Sequence, residues 1–191
     1  MGVYELALRR RTIRRFRDRL VPYEILEKCV NAARLSPSAS NLQSLEYILV
    51  EDEPRLSQVF PTLRWAGYIR PQGDPPPGKR PPAYIVILKK PEVSMPSSVY
   101  DVGMAAENMI LVALEEGVGS CAIASVNRDK LRPVLKIPDS YEIPLVLALG
   151  YPDESPVEEP FDGSAKYWKD DNGVLHVPKK KLASILHRNT F

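Results

Sequence analysis

The alternation of apolar and polar positions divides the chain into a short series of elements. Residues 3–10 read as a short helix. "VPYEILEKCVNAARL" (21–35) is a clearer one, because Ile25, Leu26, Cys29, Val30 and Ala33 recur at helical spacing and form one apolar stripe. Pro22 suits its first turn, and Glu24 and Glu27 suit the positive N-terminal end. The small polar residues of "SPSASNLQS" (36–44) read as a loop, "LEYILVE" (45–51) as a strand, and a short helix follows Pro54. Residues 70–82 hold six prolines and two glycines, which predicts an irregular surface loop.

"AYIVILK" (83–89) is apolar without interruption, as expected of a strand inside a sheet. "SSVYDVGMAAENMILVALEEG" (97–117) is the longest helix. Its apolar residues go nearly all the way round, from Val99 and Val102 through Met104, Ala105 and Ala106 to Met109–Leu114. Such a helix is expected to be buried on most sides, at the centre of the domain or in a subunit interface. "GSCAIAS" (119–125) reads as a strand, 127–135 as a helix and "EIPLVLALGYP" (142–152) as another buried strand. Beyond Pro152 the chain turns polar and irregular. It closes on "PKKKLASILHRNTF", read as a short basic amphipathic helix. Helices and strands alternate loosely and nothing repeats, which predicts an α+β fold with helices packed on one sheet. A chain of 191 residues is expected to form a single domain.

Charge changes this picture only locally. The 26 basic residues are nearly balanced by 24 acidic ones, leaving +2 overall, yet residues 9–19, "RRRTIRRFRDR", contain seven arginines. The cluster reads either as an arm for a nucleic acid or as a cradle for a smaller anion. A nucleic-acid binder keeps a basic excess over a whole face, so the balanced total favours the small anion. Cys29 and Cys121 are far apart in apolar contexts, without a CxxC pair, so neither a disulfide scaffold nor a zinc site is indicated. Arg9–Arg11 interrupt any signal-like apolar run, and no stretch reaches the roughly 18 apolar residues of a membrane span. The setting expected is cytoplasmic.

Familiar catalytic parts are missing. The two histidines, His176 and His187, lie in the tail, and there is no G-x-S-x-G elbow, H-E-x-x-H, P-loop or GxGxxG fingerprint. An enzyme built this way would leave the chemistry to a bound cofactor, with no side chain catalytic. Three segments are candidates for holding one. Arg10, Arg11, Thr12 and Arg14 offer guanidinium forks and a hydroxyl suited to phosphate, Arg10 and Arg14 projecting together if the segment is a helix or tight turn. Pro37, Ser38, Ser40, Asn41 and Gln43 offer groups that donate and accept at the edge of a heteroaromatic ring. Lys179 and Lys181 are a third, phosphate-seeking set. Each has an ordinary alternative: surface arginines paired with acids, a helix-terminating loop, a basic helix start.

"RRRTIRRF", "AARLSPSASNLQ", "GVGSCAIAS", "GYP" and the late "PKKKL" occur in the order seen in the nitroreductase-like flavin oxidoreductases, and the chain resembles that family over nearly its whole length. The resemblance implies a mainly antiparallel central sheet flanked by helices and an intertwined homodimer. It implies one FMN per subunit at the interface, with residues 152–191 as a tail wrapping the partner. Arg10, Arg11, Thr12 and Arg14 would then hold FMN from one subunit, and Pro37, Ser38, Ser40, Asn41 and Gln43 would face its ring from the other. Ala124 and Ser125 would lie beside the flavin, and Lys179, Lys181 or Arg188 would return to the phosphate. The implied activity is ping-pong hydride transfer from NAD(P)H to an acceptor such as a nitroaromatic, quinone or flavin, at no membrane and on no nucleic acid. A reductive dehalogenase or flavin-fragmenting enzyme is the alternative. Two departures, "SLEY" (44–47) in place of the family's Pro-Trp and Ala124–Ser125 in place of Glu-Gly, bear on the substrate more than on FMN. The loop 70–82 is either a substrate cover or a connector.

Overall fold

Strand β2 (Ala83–Lys89) sets the architecture of the computed structural model, which describes residues 2–191. It lies inside a four-stranded sheet of order β1-β2-β4-β3, with β1 (Leu45–Val50), β3 (Gly119–Ile123) and β4 (Glu142–Gly150) all antiparallel to their neighbours. Successive side chains of a strand point to opposite faces. Ala83, Ile85 and Ile87, with Leu147 and Leu149 of β4, enter one core; Tyr84, Val86 and Leu88, with Val146 and Ala148, enter the other. Both faces of β2 are covered, which is why its sequence is apolar without alternation.

The first core is closed by α2 (Tyr23–Arg34) and α4 (Ser98–Glu115). Leu26, Cys29 and Ala33 of α2 share this core with Ala105, Ala106, Met109 and Ala113 of α4, and the small alanines and Cys29 leave room for Leu26 and Met109 between the helices. Complete burial of Leu26 alone stabilises by roughly 1.5–3 kcal/mol. The second core collects Leu56 and Val59 of α3 (Glu53–Val59), Leu131 of α5 (Arg128–Leu135), and Trp65, Ile13 and Phe16. The sheet is thus flanked on both faces, and the mainly antiparallel α+β reading holds. Helix α4 is not buried all round within one chain. Val99, Tyr100 and Met104 are exposed, beside Val3, Tyr4 and Leu8 on the short helix α1 (Val3–Arg9).

The tail departs from expectation. After Pro152 it forms a small sheet in which β7 (Leu175–Lys179) lies between β5 (Val157–Pro160), parallel to it, and β6 (Trp168–Lys169), antiparallel to it. The expected amphipathic helix at the C-terminus is absent. Its first residues, through Lys179, belong to β7, and only a single turn, Leu182–Ser184, is helical. A short helix draws its stability from packing an apolar face, and Leu182, Ile185 and Leu186 meet no such surface in this chain. Among the described residues no helix is long and apolar enough to cross a membrane.

Candidate active site

The arginine segment is extended, which corrects the helix or tight-turn reading. Helix α1 ends at Arg9, and the segment then runs along the sheet edge: Thr12 pairs with Ser120, Ile13 N–H donates to Ser120 C=O (2.8 Å) and Arg17 N–H to Tyr151 C=O (2.8 Å). Ile13 and Phe16 are buried against Gly119 and Gly150, which face each other across β3 and β4. A Cβ on Gly119 would stand 2.7 Å from Ile13 Cγ1, and one on Gly150 2.7 Å from Phe16 Cδ1, so the glycine pair makes the seat for this segment. Arg10, Arg11, Thr12 and Arg14 nevertheless come together at one cavity. Their convergence survives although its expected cause was wrong.

Arg10, Arg11, Thr12 and Arg14 line a cavity of about 130 Å³ together with Tyr167, Leu175, Val177 and Lys179. Segments some 160 positions apart in the chain, Arg10–Arg14 and Leu175–Lys179, are thereby joined. The Arg14 guanidinium lies 5.0 Å from the Tyr167 ring centroid, and its Nε is buried without a hydrogen-bond partner among the described residues. Acids surround the cluster. Arg10 pairs with Glu107 (3.5 Å) and Arg11 with Glu158. Glu154 accepts from the Arg14 and Arg15 backbone N–H groups (2.5 and 3.2 Å) while its other oxygen lies 3.8 Å from Lys169 Nζ. Burial, and then Arg15, hold the Lys169 ammonium below its ordinary pKa against the pull of Glu154. Tyr167, Glu154 and Glu158 carried no sequence signal, because their partners lie about 140 or more positions away. Lys181 and Arg188 lie exposed outside the cavity, and of the late basic residues Lys179 lines it.

The second segment forms a separate site. Pro37, Ser38 and Gln43 line a cavity of about 150 Å³ with Arg34, Tyr47 and Asp101, while Ser40 and Asn41 are exposed. Burial pushes the Tyr47 phenol up to about 12. Ser40, Asn41 and Gln43 adopt φ of 50°, 55° and 51°. Non-glycine residues in this left-handed region cost on the order of 1–3 kcal/mol each, so the surroundings must hold them there. Ala124 and Ser125, just beyond β3, are exposed and line neither cavity. Their carbonyls accept from Arg128 Nη2 (3.3 Å) and Arg64 N–H (2.9 Å). The loop 70–82 is tied to the arginine segment: Lys79 C=O accepts from Phe16 N–H (3.0 Å) and Lys79 Nζ pairs with Asp153 (2.5 Å). These ties fasten the end of the loop to the arginine segment and to Asp153. No group of metal-ligating side chains occurs among the described residues.

The arrangement is an α+β scaffold that gathers guanidinium groups at one cavity and presents a polar loop with left-handed backbone elsewhere. The chain belongs to the nitroreductase family, whose model matches residues 7–151. It is 33% identical over 150 residues, 75% of this chain and 81% of the relative, to a protein of Archaeoglobus fulgidus that is an NADH dehydrogenase/NAD(P)H nitroreductase by name. It is 26% identical over 168 residues, 80% of this chain and 89% of the relative, to an iodotyrosine deiodinase of Thermotoga neapolitana. A solved FMN-dependent nitroreductase of Clostridium difficile superposes with a TM-score of 0.71 at 26% identity, covering 97% of this chain and 98% of that one.

Proposed function

We propose that the protein is an FMN-dependent NAD(P)H oxidoreductase whose flavin phosphate lies against Arg10, Arg11, Thr12, Arg14 and Lys179. The observation that carries this reading is the cavity that gathers these residues, with the buried Arg14 Nε left as a donor in want of an acceptor. A phosphate oxygen satisfies such a donor, and forked guanidinium groups match its geometry. Bound FMN supplies hydride transfer, from NAD(P)H to an acceptor such as a nitroaromatic, quinone or flavin, in two alternating half-reactions. The chain's own residues bind and orient. Arg10, Arg11 and Arg14 neutralise the phosphate, Glu154 fixes the backbone that carries Arg14, and Ser40 and Asn41 present polar groups to the ring edge.

The ring-facing loop and the arginine cavity are separate sites in one chain, which supports assembly of the complete site from two copies. The exposed apolar residues Val99, Tyr100 and Met104 of α4, and Leu182, Ile185, Leu186 and Phe191 of the tail, are the surfaces such a homodimer would bury. In this reading residues 152–191 belong to the same domain and reach over the partner, and the protein works in the cytoplasm. Similarity to the deiodinase favours a second reading, reductive removal of halide from a haloaromatic. The test is the purified protein itself. A yellow protein that releases FMN on denaturation, and oxidises NADH or NADPH in the presence of an acceptor, supports the proposal. A colourless protein that takes up no FMN overturns it. A panel of nitroaromatics, quinones, flavins and halotyrosines then separates the two readings.

A further inference from the structure

We infer that Asp101 is a positioning residue for the ring-facing loop 38–43, acting from the first turn of α4; the inference rests on the FMN reading above. Asp101 is only 2% exposed, yet no basic side chain pairs with it among the described residues. Its Oδ1 accepts from Ala39 N–H (3.0 Å), and its Oδ2 is buried without a hydrogen-bond partner. A carboxylate is expensive to bury, so one kept in this position is expected to do something that an apolar residue does not. The start of an 18-residue helix offsets part of that cost, since the positive end of α4 lies beside the carboxylate.

What Asp101 does follows from the loop's other bonds. Gln43 N–H donates to Ser38 Oγ (3.2 Å), Asn41 N–H to Ser38 C=O (2.9 Å) and Leu42 N–H to Ala39 C=O (3.0 Å). These fasten the loop to itself. The Asp101–Ala39 bond fastens it to the buried part of the fold, from a helix that contributes Ala105, Ala106 and Met109 to the core. This bond falls immediately before the three left-handed residues. Asp101 therefore sets, together with the contact from Ser40 Oγ to Met95 Sδ (3.7 Å), the direction in which Ser40 and Asn41 leave the surface. Its side chain lines the cavity beside Ser38 and Gln43. It acts through the Ala39 amide.

The experiment compares wild type, Asp101→Ala, Asp101→Asn and Arg14→Ala by titration with FMN and with riboflavin, which has the ring without the phosphate. Asp101→Ala should weaken both ligands by the same factor, about tenfold, as leaving the Ala39 N–H without its acceptor implies. It should also shift the visible absorption band of the bound flavin. Asp101→Asn, which keeps an acceptor oxygen for Ala39, should recover most of the affinity and the band position. Arg14→Ala should weaken FMN alone and leave the band unmoved. Hydrogen exchange at the Ala39 amide should quicken in Asp101→Ala and not in Asp101→Asn, with no flavin required. Equal affinities and an unmoved band in Asp101→Ala overturn the inference, as does a loss confined to FMN or an Asp101→Asn variant no better than Asp101→Ala. Wild type that binds neither ligand overturns the FMN reading instead, and the exchange experiment still decides whether Asp101 holds the loop.

Discussion

Replacing Gly150 with alanine should damage both stability and the site, because of what the added carbon meets. A Cβ at Gly150 would lie 2.6 Å from Pro82 Cδ and 2.7 Å from Phe16 Cδ1. Neither neighbour is the loose end of a flexible side chain: one is a proline ring, the other a fully buried aromatic. Overpacking costs about 1–3 kcal/mol, and rigid neighbours place Gly150→Ala towards the upper end. For a chain of this length each kcal/mol lowers Tm by about 2–4 °C, so a cost of about 2–3 kcal/mol should lower the melting temperature by about 4–12 °C. Phe16 moves first, carrying the arginine segment with it, so FMN affinity should fall as well. The assay is a thermal melt followed by circular dichroism, with Gly67→Ala as control, since a Cβ there has nothing within 4 Å. A Gly150→Ala protein that melts within about a degree of wild type would refute the claim that this glycine seats the arginine segment.

Three further outcomes follow from the same structure. Burial pushes the Cys29 thiol up to about 12 and the Cys121 thiol up to about 11, so near pH 8 a disulfide reagent should find no reactive thiol in the folded protein and both after denaturation; rapid reaction of the native protein would contradict this packing. Asp170, through the Val174 N–H first and then His176, and Asp153, through the hydrogen bond and charge of Lys79, are held below the ordinary carboxyl value of 3.8. Their folded forms release protons more readily than the unfolded chain, so their stabilisation is complete above that value and is lost as pH falls through the lower folded values. Melting temperatures measured down to pH about 3 should therefore fall modestly at the acid end, and less for Asp170→Asn; identical profiles would discount Asp170. Finally, sedimentation should show a dimer for wild type and a monomer with weakened FMN binding for the Tyr100→Glu, Met104→Glu double variant, whereas an unchanged dimer would move the interface elsewhere.

How much of this was legible in the sequence depended on distance along the chain. The unbroken apolar run of β2 announced a strand covered on both faces, and the stripe Leu26, Cys29, Ala33 announced the buried side of α2, because both are local periodicities. The excess apolar character of α4 was legible as well, and within one chain it leaves Tyr100 and Met104 uncovered. The arginine segment was recognised by composition while its conformation was missed. Spacing of four suits one side of a helix and also one side of a strand, and the decision is made by Gly119 and Gly150, more than a hundred positions away. The tail was misread at its end because the apolar spacing of Leu182, Ile185 and Leu186 satisfies a helical pattern without a surface to pack on. Glu154 and Asp101 escaped notice because an isolated acid has no motif, and their roles exist only once Arg14 and Ala39 stand beside them.

The central claim is that the clustered arginines hold one flavin phosphate. It is tested most directly by titrating FMN into wild type and Arg14→Ala, each first stripped of flavin. The account predicts saturable binding at one FMN per chain for wild type. For Arg14→Ala it predicts affinity lower by about ten- to a hundredfold, as removal of a charged hydrogen-bonding partner implies, in a protein whose assembly state is unchanged. Wild type that binds no FMN, or an Arg14→Ala protein that binds it as tightly as wild type, would contradict it.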